Sequence, residues 1–228
     1  MEETPRRVRG LFDGLYYFDT TRARYIWEHA YYPAFYIPVQ DVKASSLAKI
    51  ESVDKDESAF LSQLKGGSKS TDQVIWFEKG PLTGLIRFEF AALDAWFEEE
   101  QRIYGHPKDP YKRIDILPSS RKITAKVDGH IIAESSNNMF LYETMLKPRY
   151  YMPLSCAQWQ YLTPSETTTI CPYKGMANYY NVSIDGKEHE DLIWWYKYPT
   201  AESAAIAGHM CFYNEKVKIL IDDVEEEA

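Results

Sequence analysis

Apolar and polar positions alternate along most of the chain, in runs of five to eight residues broken by turn signals. FDGLYYF (12–18) and VDGHIIA (127–133) each set an Asp-Gly pair between alternating flanks. That is a strong short-range signal for a two-residue hairpin. RYIWEH (24–29) and MFLYET (139–144) read as the next strands, and FYIP (35–38) and RYYMP (149–153) follow a proline-marked turn. A third hairpin is expected where YYNVSI (179–184) meets LIWWYKYP (192–199) through Asp185-Gly186. Thr200 is placed to cap a short helix, AESAAIA, ended by Gly208. A closing strand, MCFYNEKVKILID (210–222), precedes an acidic tail, Glu225–Glu227, expected to fray.

The pattern occurs twice. Residues 6–38 align without a gap on residues 121–153, with identities at Asp13/Asp128, Gly14/Gly129, Glu28/Glu143, Pro33/Pro148 and Tyr36/Tyr151. The second halves align less well, with Phe88 laid on Phe212. The predicted fold is mainly β, two tandem units related by an internal repeat, with a short helix in the second. Residues 6–104 form the first unit, shortened and carrying a polar insertion at about 43–70; 105–120 form a connector; 121–223 form the second unit. Tandem duplication puts both halves of a pair in one chain, so a monomer with pseudo-twofold symmetry is expected.

Composition narrows the function. The 228 residues carry a formal charge of -8 with a pI near 5.2, which argues against a broad nucleic-acid footprint and against anionic membrane. Three cysteines, at 156, 171 and 211, form no metal-binding spacing, so neither metal nor cofactor is expected. No apolar leader and no membrane-length run is found, and a cytoplasmic protein is the expectation. Aromatic residues make up 15% of the chain, including 18 Tyr and 6 Trp, a supply suited to β cores and to amphipathic pocket walls alike.

The candidate chemistry gathers around CPYKG (171–175), which the first unit lacks. A lone cysteine is commonly a small buried hydrophobe. Lys174, three residues on, has a charge that lowers the Cys171 thiol pKa if the loop curls back. Tyr179 alternates with the core positions Tyr180, Val182 and Ile184. Glu143 shares a strand face with Leu141 and Met139, so its carboxylate needs a partner. Arg149 aligns with Ala34 and belongs to the second unit alone; it can pair with Glu143 or hold a ligand's carboxylate or carbonyl, with Tyr151 on the same face as a phenolic donor. Lys174, Cys171, Tyr179 and Glu143 are the candidate catalytic residues. Arg149, Tyr151, Tyr173, Trp195 and His209 are the candidate ligand-binding residues, with Cys171, Lys174 and Tyr179 expected across the cavity from Arg149 and Tyr151.

CPYKGMANYYNV (171–182), YPTAESAAIAGHMCFYNEKV (198–217), the 93–123 segment and FLYETMLKPRYYMP (140–153) together resemble the domain-of-unknown-function family 427 in its two-unit form. The resemblance covers nearly the whole chain and implies a β-tent-like domain with a cavity; the 43–70 segment departs from it. The family has carried a nucleotidyltransferase-like label. That reaction needs metal-binding carboxylates beside a phosphate-cradling loop, and here the one adjacent aspartate pair is Asp222-Asp223, near the end of the chain. Three functions are expected to compete: a cofactor-independent enzyme acting by acid/base chemistry on a small organic metabolite (isomerisation, cyclisation, elimination or hydrolysis), a non-catalytic small-molecule-binding protein, and a protein-interaction scaffold.

Overall fold

The computed structural model describes residues 1–226, with Ala44 described by its backbone alone. The chain divides into two compact units between Asp109 and Pro110. The first contains β1 (Glu2–Glu3), β2 (Val8–Phe12), β3 (Leu15–Thr20), β4 (Arg24–His29), β5 (Tyr32–Pro38), β6 (Leu47–Ser52), β7 (Ala59–Lys65), β8 (Ser70–Phe77), β9 (Leu85–Phe88), β10 (Ala95–Glu98) and β11 (Gln101–Ile103). The second contains β12 (Ile114–Ser119), β13 (Ile123–Val127), β14 (His130–Ser135), β15 (Asn138–Glu143), β16 (Arg149–Pro153), β17 (Leu162–Cys171), β18 (Gly175–Ile184), β19 (Lys187–Tyr196), β20 (His209–Phe212), β21 (Lys218–Ile221) and β22 (Val224–Glu225).

Each unit has a seven-stranded and a four-stranded antiparallel sheet. The orders are β1-β4-β5-β9-β8-β7-β6 with β11-β10-β2-β3, and β12-β15-β16-β20-β19-β18-β17 with β14-β13-β21-β22. Strand for strand, the two orders are the same. The repeat therefore extends over all eleven strands of each unit, beyond the part that aligns by sequence, and the fold is mainly β as predicted. Phe88 and Phe212 both end the fourth strand of their large sheet.

The three Asp-Gly pairs do what their chemistry requires. Asp13-Gly14, Asp128-Gly129 and Asp185-Gly186 each join two strands with both residues at positive φ, from 46° to 85°. A type I′ turn has that conformation, and its twist matches the strands it joins. Pro118 and Pro164 lie on β12 and β17, the edges of the large sheet, where a missing N–H costs no ladder bond.

One face of each large sheet packs on its small sheet. In the second unit that core joins Ile123, Ala125 and Ile219 to Phe140, Met152, Ile193, Met210 and Phe212. Val8, Phe18, Ile37, Leu64, Ile86 and Trp96 do the same in the first. The other face of the second unit's large sheet carries a separate cluster that includes Leu141, Tyr151, Tyr179, Trp194 and Cys211.

Several expectations are corrected. The polar segment at 43–70 is no insertion: it folds as β6, β7 and their turn, the counterpart of β17 and β18. β6 is an edge strand, exposed along most of its length, and its six residues are half polar. Within the 105–120 segment, residues 114–119 form β12, the counterpart of β1. The run 210–222 is two strands in two sheets, separated by a turn at 214–216. The short helix is a 3-10 segment, Ala201–Ile206, and Thr200 makes no side-chain cap to it. The acidic end is tied down as far as it is described: Val224–Glu225 pairs with β21, and Glu226 accepts hydrogen bonds from Tyr150 Oη at 2.6 Å and Asn214 Nδ2 at 2.7 Å. Glu227, also expected to fray, lies outside the described residues.

Candidate functional site

On the free face of the second unit's large sheet, directly opposed residues form one row across five strands: Met139, Tyr151, Cys211, Trp194 and Tyr179. Leu141 opposes Arg149 on the same face, so Glu143, two residues further along β15, also projects there. A cavity of about 470 Å³ opens over this row, with Glu143, Arg149, Tyr151, Lys174 and Tyr179 among its lining.

The same row in the first unit is filled differently. There Tyr36 pairs with Arg87, Arg87 with Ile75, and Ile75 with Leu61. Arg87 stands where the second unit has Cys211, and its guanidinium reaches Glu28 at 2.6 Å and Glu89 at 2.8 Å. The Tyr36 phenol also donates to Glu28, at 2.7 Å. Glu28 and Glu143 are the repeated carboxylate. With the fully buried Cys211 in place of Arg87, the second unit's row lacks that cation.

Glu143 takes its cation from elsewhere. Lys174, in the turn between β17 and β18, places Nζ 2.5 Å from Glu143 Oε2, and the two side chains are only 13% and 10% exposed. The turn is fixed by its backbone: the Tyr173 carbonyl accepts from Thr200 Oγ1 and from Ser203 Oγ at 3.1 Å, and the Lys174 carbonyl from Thr200 N at 3.1 Å. Gly175 has φ of +106°, and a Cβ there would stand 3.1 Å from the Tyr198 carbonyl oxygen. Glycine alone meets both conditions.

Arg149 does not pair with Glu143, contrary to one expectation. Its Nη1 donates to Asn214 Oδ1 at 3.2 Å and Glu215 Oε2 at 3.1 Å, and its Nη2 to Glu215 Oε1 at 2.9 Å. The guanidinium carbon lies 5.5 Å from the Trp194 ring centroid, a cation–π distance. This anchoring holds Glu215 below the usual carboxylate range through the Arg149 hydrogen bond.

The phenols are poised as neutral donors. Burial raises Tyr151 well above the usual tyrosine range and raises Tyr196 as well. Burial and a hydrogen bond to Tyr179 push Tyr213 up to about 12. The Tyr151 oxygen accepts from Trp194 Nε1 at 3.1 Å, which leaves its own proton for a ligand. Tyr179 shares a 2.7 Å hydrogen bond with Thr169 Oγ1.

A family model described as a domain of unknown function, DUF427, matches residues 1–99 and 115–223. The chain belongs to the DUF427 family. No curated protein matches it. The two matched segments of this DUF427 chain each fall within one structural unit.

Of the nine residues singled out from the sequence, five line the cavity: Glu143, Arg149, Tyr151, Lys174 and Tyr179. They project from one sheet face and the adjoining turn rather than from opposed walls. Cys171 is half-buried behind them, packed against the aromatic cluster, and the lysine expected to activate it is committed to Glu143. Tyr173 is buried and does not line this cavity. Trp195 lies on the other sheet face, stacked with Tyr180 at 6.0 Å. His209 sits beside Pro153, with Nδ1 2.9 Å from the Ala207 carbonyl. Trp194, Tyr196, Tyr213 and Glu215 line the cavity and were not singled out. Period-two counting from the Asp185-Gly186 turn selects Trp194 and Tyr196, because they share Tyr179's face.

Among the described residues, no group of three or more His, Cys, Asp or Glu side chains stands where it could hold a metal ion, and no helix is long and apolar enough to cross a membrane.

Proposed function

We propose that the second unit is an enzyme acting on a small organic metabolite by acid/base chemistry carried by its own side chains. The observation behind this reading is the Glu143–Lys174 pair, a base and an acid 2.5 Å apart on the wall of a cavity. A substrate carbonyl that draws the Lys174 ammonium toward itself frees Glu143 to accept a proton, and the ammonium then faces the oxygen on which negative charge develops. Tyr151 and Tyr196, kept protonated by burial, add hydrogen bonds to that oxygen. Isomerisation, cyclisation and elimination all pass through such a proton transfer.

A non-catalytic binding protein would use the same wall, and the anchoring of Arg149 by Glu215 and Asn214 favours a preformed pocket of that kind. Incubation with a cell-free metabolite extract followed by liquid chromatography and mass spectrometry, which resolves isomers by retention time, separates the two. An enzyme depletes one extract component and accumulates another, and Glu143→Gln prevents both changes. A component retained by the protein and recovered with both mass and chromatographic retention time unaltered, with no extract component depleted, refutes the enzymatic reading.

A further inference from the structure

The hydrogen-bonding inventory of the cavity narrows the substrate class, on the basis of the acid/base reading above. Arg149 spends its Nη1 and one side of Nη2 on Asn214 and Glu215, which takes up the end of the guanidinium. Among the described residues, Nε and the remaining Nη2 proton have no protein partner. Those two donors form the side edge of the guanidinium, spaced to grip a carboxylate with two parallel hydrogen bonds. The ion pair with Glu215 does not compete for that edge. It holds the fork still, with the Trp194 ring beneath it.

The remaining groups have the same bias. Lys174 gives one of its three donors to Glu143, and the Tyr151 proton is uncommitted. Tyr196 finds no protein partner among the described residues and is held neutral by burial. Against these donors the wall offers few free acceptors, chiefly the second oxygen of Glu143, because Glu215 is taken by Arg149. The complementary ligand is rich in acceptor oxygens and carries one hydrogen for a carboxylate to remove. Glu143 and Arg149 stand on adjacent strands in diagonal register, with Cα atoms about 7–8 Å apart, so the acidic carbon and the gripped group belong to one small molecule.

We propose that the site takes an enolisable oxo-carboxylic acid, with its carboxylate on the Nε–Nη2 edge of Arg149 and its acidic C–H toward Glu143. Glu143 removes the proton from the carbon next to the carbonyl. The C–H electron pair becomes the C=C bond, and the carbonyl π pair moves to oxygen as an enolate. Lys174 and the Tyr151 phenol stabilise that enolate, and the proton returns from Glu143 to carbon or, through Lys174, to oxygen. No electron is gained or lost, and no co-reactant is needed. Arg149 is the residue that selects the substrate, and Glu143 is the catalytic base.

The test uses the full chain with a panel of probes at millimolar concentration: pyruvate, 2-oxobutanoate, acetoacetate and phenylpyruvate, each beside the matching ketone or aldehyde without its carboxylate. Binding is read by thermal shift, and proton abstraction by loss of the acidic C–H signal in D2O by NMR, relative to buffer. At least one acid is expected to bind and to exchange faster with the protein, while its uncharged partner does neither. Arg149→Lys keeps the charge and loses the fork, so KM should rise tenfold or more with kcat little changed. Glu143→Gln should bind the acid and lose the exchange. Equal exchange of acid and ketone overturns the carboxylate assignment and leaves the acid/base reading intact. Binding of an acid without exchange overturns the enzymatic reading and leaves Arg149 as its recognition residue. No binding by any acid overturns the proposal.

Discussion

Removing Lys174 tests the site most directly. Lys174→Met keeps the length and the packing of the stem and deletes the charge, leaving the Glu143 carboxylate beside the cavity with its side chain only 10% exposed. Breaking a fully buried pair costs about 3–5 kcal/mol, and an exposed pair is worth about 0–1 kcal/mol. At 13% and 10% exposure, with cavity water within reach of one side, the expected loss is about 2 kcal/mol. A turn lysine in solvent would change stability by less than about 0.5 kcal/mol. Glu143→Gln should cost less, because the amide still accepts a hydrogen bond. The double variant should recover much of the loss, giving a coupling energy of about 1–2 kcal/mol. Urea unfolding followed by tryptophan fluorescence and by far-UV circular dichroism measures all four proteins. A coupling below about 0.5 kcal/mol would mean that the two groups stay solvated, and the argument for an acid/base pair would collapse.

Gly175→Ala should destabilise by about 1–3 kcal/mol and lower any activity further, since a Cβ at φ +106° also crowds the Tyr198 carbonyl and shifts Lys174; normal stability would show that the turn adapts. Glu215, held below its ordinary value of 4.5 by Arg149, stabilises the fold above that ordinary value, and the contribution is lost as pH falls through the lower folded value. The stability gap between wild type and Glu215→Gln should therefore be full at neutral pH and close in acid, and a gap independent of pH contradicts the pairing. Tyr213, pushed up to about 12, should add no tyrosinate absorbance at pH 10, so Tyr213→Phe should leave the spectrophotometric titration unchanged up to that point. Elemental analysis should find no stoichiometric metal, and sedimentation should give a monomer; one zinc per chain or a dimer would each refute the corresponding expectation.

The parts of this protein legible in its sequence are those fixed by local chemistry. Asp-Gly between alternating flanks dictates a left-handed two-residue turn, and the alternation assigns faces, so the repeated hairpins and the mainly β class follow from the residues alone. Arg149 and Tyr151 were legible as neighbours on one face, and Glu143 as sharing a face with Leu141 and Met139, for the same reason; the register that joins the two strands is seen only in the structure. Partner choice was not legible. Lys174 reaches Glu143 from a turn four strands away in sheet order, and Arg149 finds Glu215 beyond the end of β20; neither spacing appears in any local pattern. The second half of the first unit was hidden because the turn of its edge hairpin, residues 53–58, is charged and β6 is exposed along most of its length, so the segment lacks a clear alternation. The register that brings Trp194 opposite Tyr179 depends on an irregularity between Tyr180 and Val182, with Asp191 at φ 53°, that no local pattern announces. Local chemistry determined the strands and their faces. Only packing across the sheet decided which cation meets the repeated carboxylate, Arg87 on Glu28 in the first unit and Lys174 on Glu143 in the second.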